Sequence, residues 1–488
     1  METHISWVFL AGEFAWKIKK PVCFDFLDFS SLDRRRHFCE REIELNRRTA
    51  PELYLDVVPI CGTPTEPEVS GSNSSCGEPI EYAVKMRRFD QEQLFLNLAK
   101  SGELGSDDID LLADAVAKFH LSLPSLGGET HWGDGTEIRS AAEGNFSALR
   151  EGGFQAEGLA RIEALAGWTN ESMCSLDPWF QVRKRDGFVR ECHGDLHLRN
   201  IVRYDGRPCL FDCLEFNESF RCIDVINDLA FLISDLADHG FSGFSWRLLN
   251  RWLEATGDYT AITGLNFYIV YRAMVRAKVN ALRLRDAELD PSIKDAVRGE
   301  LRAFLDYAEK TIRPSQPRLF IMHGLSGSGK TTVASRLIES VGAVRIRSDV
   351  ERKRLAGILA PPGQQQQKAS PDFYSKEFTQ RTYGRLATLA NDLLAAGHQV
   401  IVDAAFLKEQ QRAQFAEVAM RHDAPFHIVS CEAPECVLQE RLIERTSVFA
   451  EVSDAGVDEL RLQFETQEPL TAEERRNEIH AAVNQAEV

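Results

Sequence analysis

No apolar run in this 488-residue chain approaches the roughly eighteen residues of a bilayer span, which excludes a helical membrane anchor. Met1-Glu-Thr-His-Ile5 lacks the basic flank and apolar stretch of a secretory signal, so a cytoplasmic location is expected. Positive charge is in deficit: 57 Lys and Arg against 74 Asp and Glu leave a net charge of −17. That balance argues against nucleic acid or an anionic membrane surface as the main partner and suits a cationic small molecule. Cys209 with Cys213, and Cys431 with Cys436, each lack a second pair at zinc-finger spacing, so structural zinc is not expected. The eleven cysteines are odd in number, scattered and mostly set in apolar stretches, and read as reduced thiols rather than a disulfide framework. The length exceeds one ordinary core, and 44% hydrophobic with 27% charged residues is the composition of a folded protein of two or three domains.

The most informative stretch is Glu191-Cys-His-Gly-Asp-Leu-His-Leu-Arg-Asn200 with the Leu-Phe-Asp212 that follows. It sets a carboxylate at Asp195, an amide five residues on at Asn200, and a second carboxylate at Asp212 after a short apolar strand. Phosphoryl transfer from ATP uses this set: one Asp orients or takes the proton of the attacking hydroxyl, while an Asn and another Asp hold magnesium at the β- and γ-phosphates. The Asp195 to Asn200 spacing equals that of the protein-kinase loop His-Arg-Asp-Leu-x-x-x-Asn, with Gly194 in place of the Arg. Asp195 is thus the expected base, and Asn200 and Asp212 the expected metal ligands.

Upstream, Ile5 to Leu10 and Phe14 to Lys19 read as two strands joined at Gly12, and Leu32 to Thr49 as an amphipathic helix. Tyr54 to Cys61 and Glu81 to Met86 are the next strands, separated by the Pro/Gly/Ser-rich loop Thr63 to Glu78, for which mobility is expected. In kinase-like order the second strand carries a phosphate-binding lysine and the helix its partner acid. Lys17 and Glu42 are the choices, with Lys19 on the same strand face and Glu40 as competitors. Lys85 follows the helix and falls outside that order, and Arg87 to Gln93 would be the hinge. His120, in the helix Asp107 to Leu123, reads as a packed or capping residue. Gly158 to Met173, Phe267 to Leu284 and Ser292 to Ile312 read as further helices, and Asp224 and Asp228 lie where a helix opens after Arg221.

The two prolines of Thr311-Ile-Arg-Pro-Ser-Gln-Pro317 mark a break, so domains are placed at 1–312 and 318–488. Arg318 to His323 is a buried strand running into Gly324-Leu-Ser-Gly-Ser-Gly-Lys-Thr331, a complete P-loop between strand and helix. Gly324, Gly327 and Gly329 let backbone N–H groups reach phosphate oxygens, Lys330 reaches the β/γ-phosphates, and Thr331, next to Thr332, ligates magnesium. Val344 to Asp349 reads as a strand ending in Ser348-Asp349, and Gln399 to Asp403 as another. Arg441 and Arg445 share one face of a helix. Pro361 to Pro371 reads as a flexible loop facing the acceptor site. The guanine motif Asn-Lys-x-Asp is absent.

His193-Gly-Asp195 with Asn200 and Asp212 resembles the aminoglycoside phosphotransferase family and its choline-kinase-like relatives. The second half resembles small-molecule kinases of the P-loop class. Together they resemble bacterial proteins that fuse the two. The resemblance implies an α+β protein-kinase-like, aminoglycoside phosphotransferase-like two-lobed domain followed by an α/β P-loop nucleoside-triphosphate-hydrolase fold with a mainly parallel sheet. It further implies ATP and Mg2+ as cofactors and a small-molecule hydroxyl acceptor. It gives Asp228 the role of bracing the catalytic loop, Asp349 that of a second base, Asp403 a magnesium-shell place, and Arg441 and Arg445 a lid over phosphates. Family membership leaves the acceptor open. One departure is visible: only Met1 to His4 precede Ile5, where a kinase-like small lobe begins with an extra strand and a phosphate-covering turn. That implies either a shortened chain or a first site with an incomplete lid. The rival expectation is a nucleotide-sensing regulator that binds ATP with little turnover; acids at Asp195 and Asp349 tell against it.

Overall fold

A computed structural model describes residues 2–24, 27–69, 77–128, 130–152, 154, 156–286, 290–359, 373, 375–447 and 457–481, with backbone alone for 444–447 and 457–459. The chain divides into two compact units, Met1–His239 with Phe267–Thr311, and Gly240–Asn266 with Ile312–Val488.

In the first unit, β1 (Ser6–Ala11) and β2 (Phe14–Lys19) form a hairpin about Gly12, and a small pair β3 (Cys23–Phe24) and β4 (Leu27–Asp28) leads to α1 (Leu32–Asn46). Ser31 caps α1 by accepting from the Arg34 N–H at 3.3 Å. Strands β5 (Tyr54–Thr63), β6 (Glu66–Val69) and β7 (Glu81–Arg87) complete an antiparallel sheet ordered β1-β2-β7-β5-β6. The stretch read as a loop after Thr63 therefore opens with a hairpin strand; residues 70–76 lie outside the described residues. Cys39 and Ile43 of α1 pack on Ala15, Val84 and Met86, burying one face of the sheet.

Helices follow: α2 (Phe95–Ser101), α3 (Ser106–Ser122), α4 (Gly135–Arg150) and α5 (Ala156–Arg185). Then come β8 (Val189–Glu191), the hairpin β9 (Ile201–Tyr204) and β10 (Arg207–Leu210), the turn α6 (Glu218–Arg221), β11 (Cys222–Asp224) and α7 (Val225–Asp238). Strand β11 returns antiparallel to β8, so the loop carrying Asp195 and the start of α7 are held side by side. After α8 (Ser242–Thr256), the chain runs through α9 (Ile262–Leu284) and α10 (Pro291–Ile312).

The second unit contains β12 (Leu319–His323), α11 (Lys330–Val341), β13 (Ala343–Arg347), α12 (Ser348–Leu355), α13 (Lys376–Ala395), β14 (Gln399–Asp403), α14 (Glu409–Arg421), β15 (Phe426–Ser430), α15 (Glu435–Ser447), α16 (Val457–Thr466) and β16 (Glu478–His480). Its sheet is parallel throughout, in the order β13-β14-β12-β15-β16. The first unit is thus α+β, and the second is an α/β P-loop fold.

Three expectations are revised. Residues 240–266 lie before the proline break and were assigned with the first domain, yet they group with the second unit. The reason is a side-chain clasp on the outer edge of β13: Asn250 Nδ2 donates to the Ala343 carbonyl at 2.9 Å, and its Oδ1 accepts from the Arg345 N–H at 2.5 Å. Trp246 packs against the core of Phe320, Leu337 and Ala343. Ser348 and Asp349 open α12 instead of ending a strand. Cys61 is disulfide-bonded, whereas nine other cysteines are free thiols. Pro361 to Pro371 lies outside the described residues. Among those described, no helix is long and apolar enough to cross a membrane.

Asn250→Ala strips partners from two backbone groups on the edge of β13. The variant is expected to lose about 2 kcal/mol of stability in urea denaturation of the full chain, while Asn250→Asp, which keeps the acceptor, loses less.

Candidate functional sites

In the first unit the strand alternation of β2 turns Lys17 and Lys19 to one face, and the turn spacing of α1 brings Glu42 beneath them. Glu42 is fully buried. Its Oε1 accepts from Lys17 Nζ at 2.8 Å and its Oε2 from Lys19 Nζ at 2.7 Å. Lys17 also donates to Asp212 Oδ1 at 2.6 Å, and Lys19 to Glu215. Lys17, Glu42 and Asp212 are therefore brought together, with Lys19 sharing the same carboxylate. Glu40 lies on the exposed face, paired with Arg36.

Two ammonium groups against three carboxylates leave one negative charge in excess, and the titrations divide accordingly. Burial opposes the charge on Lys17, but Asp212 and Glu42 outweigh it and raise its pKa well above the ordinary value. Burial also works against ionised Glu42, and the two lysines overcome it and hold the carboxyl below its usual range. Glu215 goes the other way, raised by burial that Lys19 does not fully offset.

Asp212 sits at φ +60°, the left-handed region, and its N–H donates to the Tyr54 hydroxyl at 3.0 Å. The next N–H, of Cys213, donates to Asn46 Oδ1 of α1 at 2.8 Å. These two bonds aim the Asp212 side chain at Lys17 and leave it 43% exposed.

The loop before it is held from α7. The N–H groups of His193 and Gly194 donate to the two oxygens of Asp228 at 3.0 and 2.9 Å, and His120 Nε2 lies 3.2 Å from the same carboxylate. Asp235, two turns further along α7, accepts from the Leu198 N–H at 2.9 Å. Arg272 of α9 donates to the Gly194 carbonyl at 3.1 Å. Gly194 is at φ +83°, where a Cβ would stand 2.9 Å from the Phe220 carbonyl, so the loop admits no side chain there. His193 Nε2 faces the Phe211 carbonyl at 3.0 Å, tying the loop to the segment that ends in Asp212.

Within the loop Asn200 Nδ2 donates to the Asp195 carbonyl and to its Oδ2, both at 3.0 Å, and His197 Nε2 is 3.3 Å from Oδ2. The Asp195 side chain is 40% exposed. Burial of part of it favours the acid, but His197, His193 and Arg276 more than compensate and keep the group ionised well below the usual carboxylate range.

The second unit presents the P-loop between β12 and α11. Gly324 lies at φ +141°, with a hypothetical Cβ only 2.3 Å from the Cys431 carbonyl. A glycine is therefore obligatory there, and one N–H of the loop is already engaged, Ser326 donating to Gln463 Oε1 at 2.9 Å. Gly327 and Gly329 also have positive φ, and Gly329 caps α11. Lys330 Nζ donates to the Gly324 and Leu325 carbonyls at 2.9 and 2.8 Å, folded over its own loop. Thr331 and Thr332 occupy the first turn of α11. Arg441 of α15 donates to the Gly327 carbonyl at 3.1 Å; Arg445 belongs to the same helix, its side chain outside the described residues.

Asp403 ends β14 and is buried, and its Oδ2 has no hydrogen-bond partner among the described residues. A buried carboxylate oxygen with no hydrogen bond, the Arg347 guanidinium standing off at 3.9 Å, would suit a divalent cation, as would the hard oxygens of Asn200 and Asp212 in the first unit. Asp349 opens α12 next to the end of β13.

Lys19 as a co-ligand of Glu42, Glu215, Asp235, Arg272 and Asn46 were not identified from the sequence. Asp235 carried a usable signal, since it follows Asp228 by two turns on the same face of α7. The others become visible only through contacts remote in sequence.

Residues 319–469 match the AAA domain family. Plasmodium vivax ethanolamine kinase is 11% identical, covering 62% of this chain and 76% of its own, with a TM-score of 0.37. Shikimate kinase from Acinetobacter baumannii, in complex with shikimate, is 19% identical over 35% of this chain and 86% of its own, with a TM-score of 0.24. Over 447 residues the chain is 30% identical to the uncharacterized protein Rv2004c of Mycobacterium tuberculosis, spanning 91% of this chain and 85% of that one. Identity sustained over that length means that the chain belongs to the same protein family as Rv2004c.

Proposed function

We propose that the protein is a two-site phosphotransferase that uses ATP and Mg2+ to phosphorylate the hydroxyl group of a small molecule. The observation that carries this reading is the single charge cluster of Lys17, Glu42 and Asp212, set beside a loop whose Asp195 and Asn200 are hydrogen-bonded to each other. A lysine fixed by a buried glutamate and touching a half-exposed aspartate is suited to hold α- and β-phosphates against a metal-binding carboxylate. Magnesium, when bound, supplies positive charge that offsets the β- and γ-phosphates.

In the first unit Asp195, kept ionised, orients the acceptor hydroxyl and takes its proton as the oxygen–phosphorus bond forms and the bond to the β-phosphate oxygen of ADP breaks. Asn200 and Asp212 hold the metal. Asp228 and Asp235 act through the backbone of the loop, fixing where Asp195 points. In the second unit Gly324, Gly327, Gly329, Lys330 and Thr332 receive the triphosphate, and Thr331 with Asp403 takes the metal. Asp349 is the base for a second acceptor, and Arg441 with Arg445 closes over the phosphates. Positioning and charge neutralisation supply most of the rate in both.

Asp195→Asn is expected to lower first-site transfer by about 10²- to 10⁴-fold while two ATP equivalents still bind in calorimetric titration. Lys330→Ala is expected to remove one of those equivalents and leave first-site turnover intact. An ADP-release screen over hydroxyl compounds reads both, and full activity of both variants on the true acceptor would overturn the reading. Two ATP equivalents with no turnover on any hydroxyl compound would point instead to a nucleotide sensor.

The depressed pKa of Asp195 also has a signed consequence. The carboxylate is ionised in the folded protein above and within the ordinary range near pH 4, so kcat/KM for the first site is expected to show no acid limb from this group between about pH 3 and 5, where an unshifted carboxylate would titrate. A pH–rate profile with a single ionisation in that window that vanishes in Asp195→Asn would contradict it.

A further inference from the structure

Helix α8 contributes a buried acid to the P-loop unit that has no place in the nucleotide-binding motifs. Glu254 Oε1 accepts from Arg345 Nε and Nη2 at 3.0 and 2.7 Å, and Oε2 accepts from Arg347 Nη1 at 3.2 Å. The Glu254 carbonyl accepts from Arg354 Nη2 at 2.7 Å, and Arg345 Nη1 is fixed in turn by Ser335 Oγ at 2.9 Å. Glu254 is thus anchored on both its backbone and side-chain ends.

Arg347 is the last residue of β13, and its Nε lies 3.9 Å from Asp403 Oδ2, the buried oxygen without a hydrogen bond. A guanidinium and a carboxylate left to themselves close to about 2.8 Å, because the charge-assisted bond is then at its strongest. Here the gap stays open. The groups facing Arg347 are Glu254, Asp403 and Asp349, and only Glu254 is within hydrogen-bonding distance among the contacts described.

Resting on the reading of the second site as a metal–ATP site, we propose that Glu254 is a positioning residue: it holds Arg347 back from Asp403, so that the carboxylate stays open to the divalent cation that accompanies ATP. A guanidinium seated on Asp403 would take the lone pairs a cation needs. Held where it is, Arg347 lessens the cost of the buried charge without occupying them. The helix that keeps this geometry is one that the P-loop segment itself does not encode.

The test is calorimetric titration of ATP into the full chain over a range of Mg2+ concentrations and in EDTA, in a Lys17→Met background that silences the first site. Glu254→Gln is expected to raise the Mg2+ concentration for half-maximal ATP binding by about tenfold or more, with binding in EDTA unchanged. Arg347→Met lowers that concentration severalfold, and the double variant follows Arg347→Met. An unshifted Mg2+ midpoint in folded Glu254→Gln, or a loss of equal size in EDTA, overturns the proposal. If Glu254→Gln does not fold, Arg347→Met decides alone, an unshifted midpoint overturning it. Lys330→Ala in the same background abolishes ATP binding if the P-loop reading is right, so failure of that reading is seen separately.

Discussion

A carboxylate with no exposure to water must be given positive partners, and Glu42 is given two. Lys17 and Lys19 grip one oxygen each, so neither lysine is free to wander and α1 is tied to the sheet through charge as well as through Cys39 and Ile43. Leaving one member of such a set unpaired would cost several kcal/mol, which makes the arrangement self-enforcing. The direction of Asp212 follows from it, since Lys17 reaches past Glu42 to that side chain while Tyr54 and Asn46 hold the backbone on either side.

The second unit uses the same physics with the opposite sign of surplus. Glu254 is one buried acid between two guanidinium groups, Arg345 and Arg347, and the strand carrying them ends opposite Asp403 of β14. Burial works against its ionised form and the two arginines prevail, holding it below the usual carboxylate range. In both units, then, a buried ionic centre reaches a further carboxylate: Lys17 donates to Asp212 in one, and Arg347 lies 3.9 Å from Asp403 in the other.

The parts of the fold legible in the sequence are those encoded by local spacing. The P-loop, the His-Gly-Asp turn and the β1–β2 hairpin each fit within about fifteen residues and need no knowledge of the rest of the chain. The choice between Lys17 and Lys19 was not legible for a physical reason: a period of two places both on one face, and the structure engages both with Glu42. Glu40 and Glu42 lie two apart on a helix, so they face different directions, and only the packing of α1 shows which is inside. The allegiance of α8 was hidden because Leu248, Leu249, Trp252 and Leu253 make an apolar stripe that would suit any core. Asp349 was misplaced onto a strand because Ser348 and Asp349 open a helix directly where β13 stops, with no intervening turn residue to mark the change.

The clasp of Asn250 on β13 bears on how the chain is born. Helix α8 ends at Thr256, and the strand it covers begins at Ala343, so a ribosome making about 5–20 residues per second leaves the helix waiting for its partner for on the order of 5–20 s. During that interval its apolar stripe has no sheet to cover, and folding of the P-loop unit has to reach backwards to a piece delivered earlier.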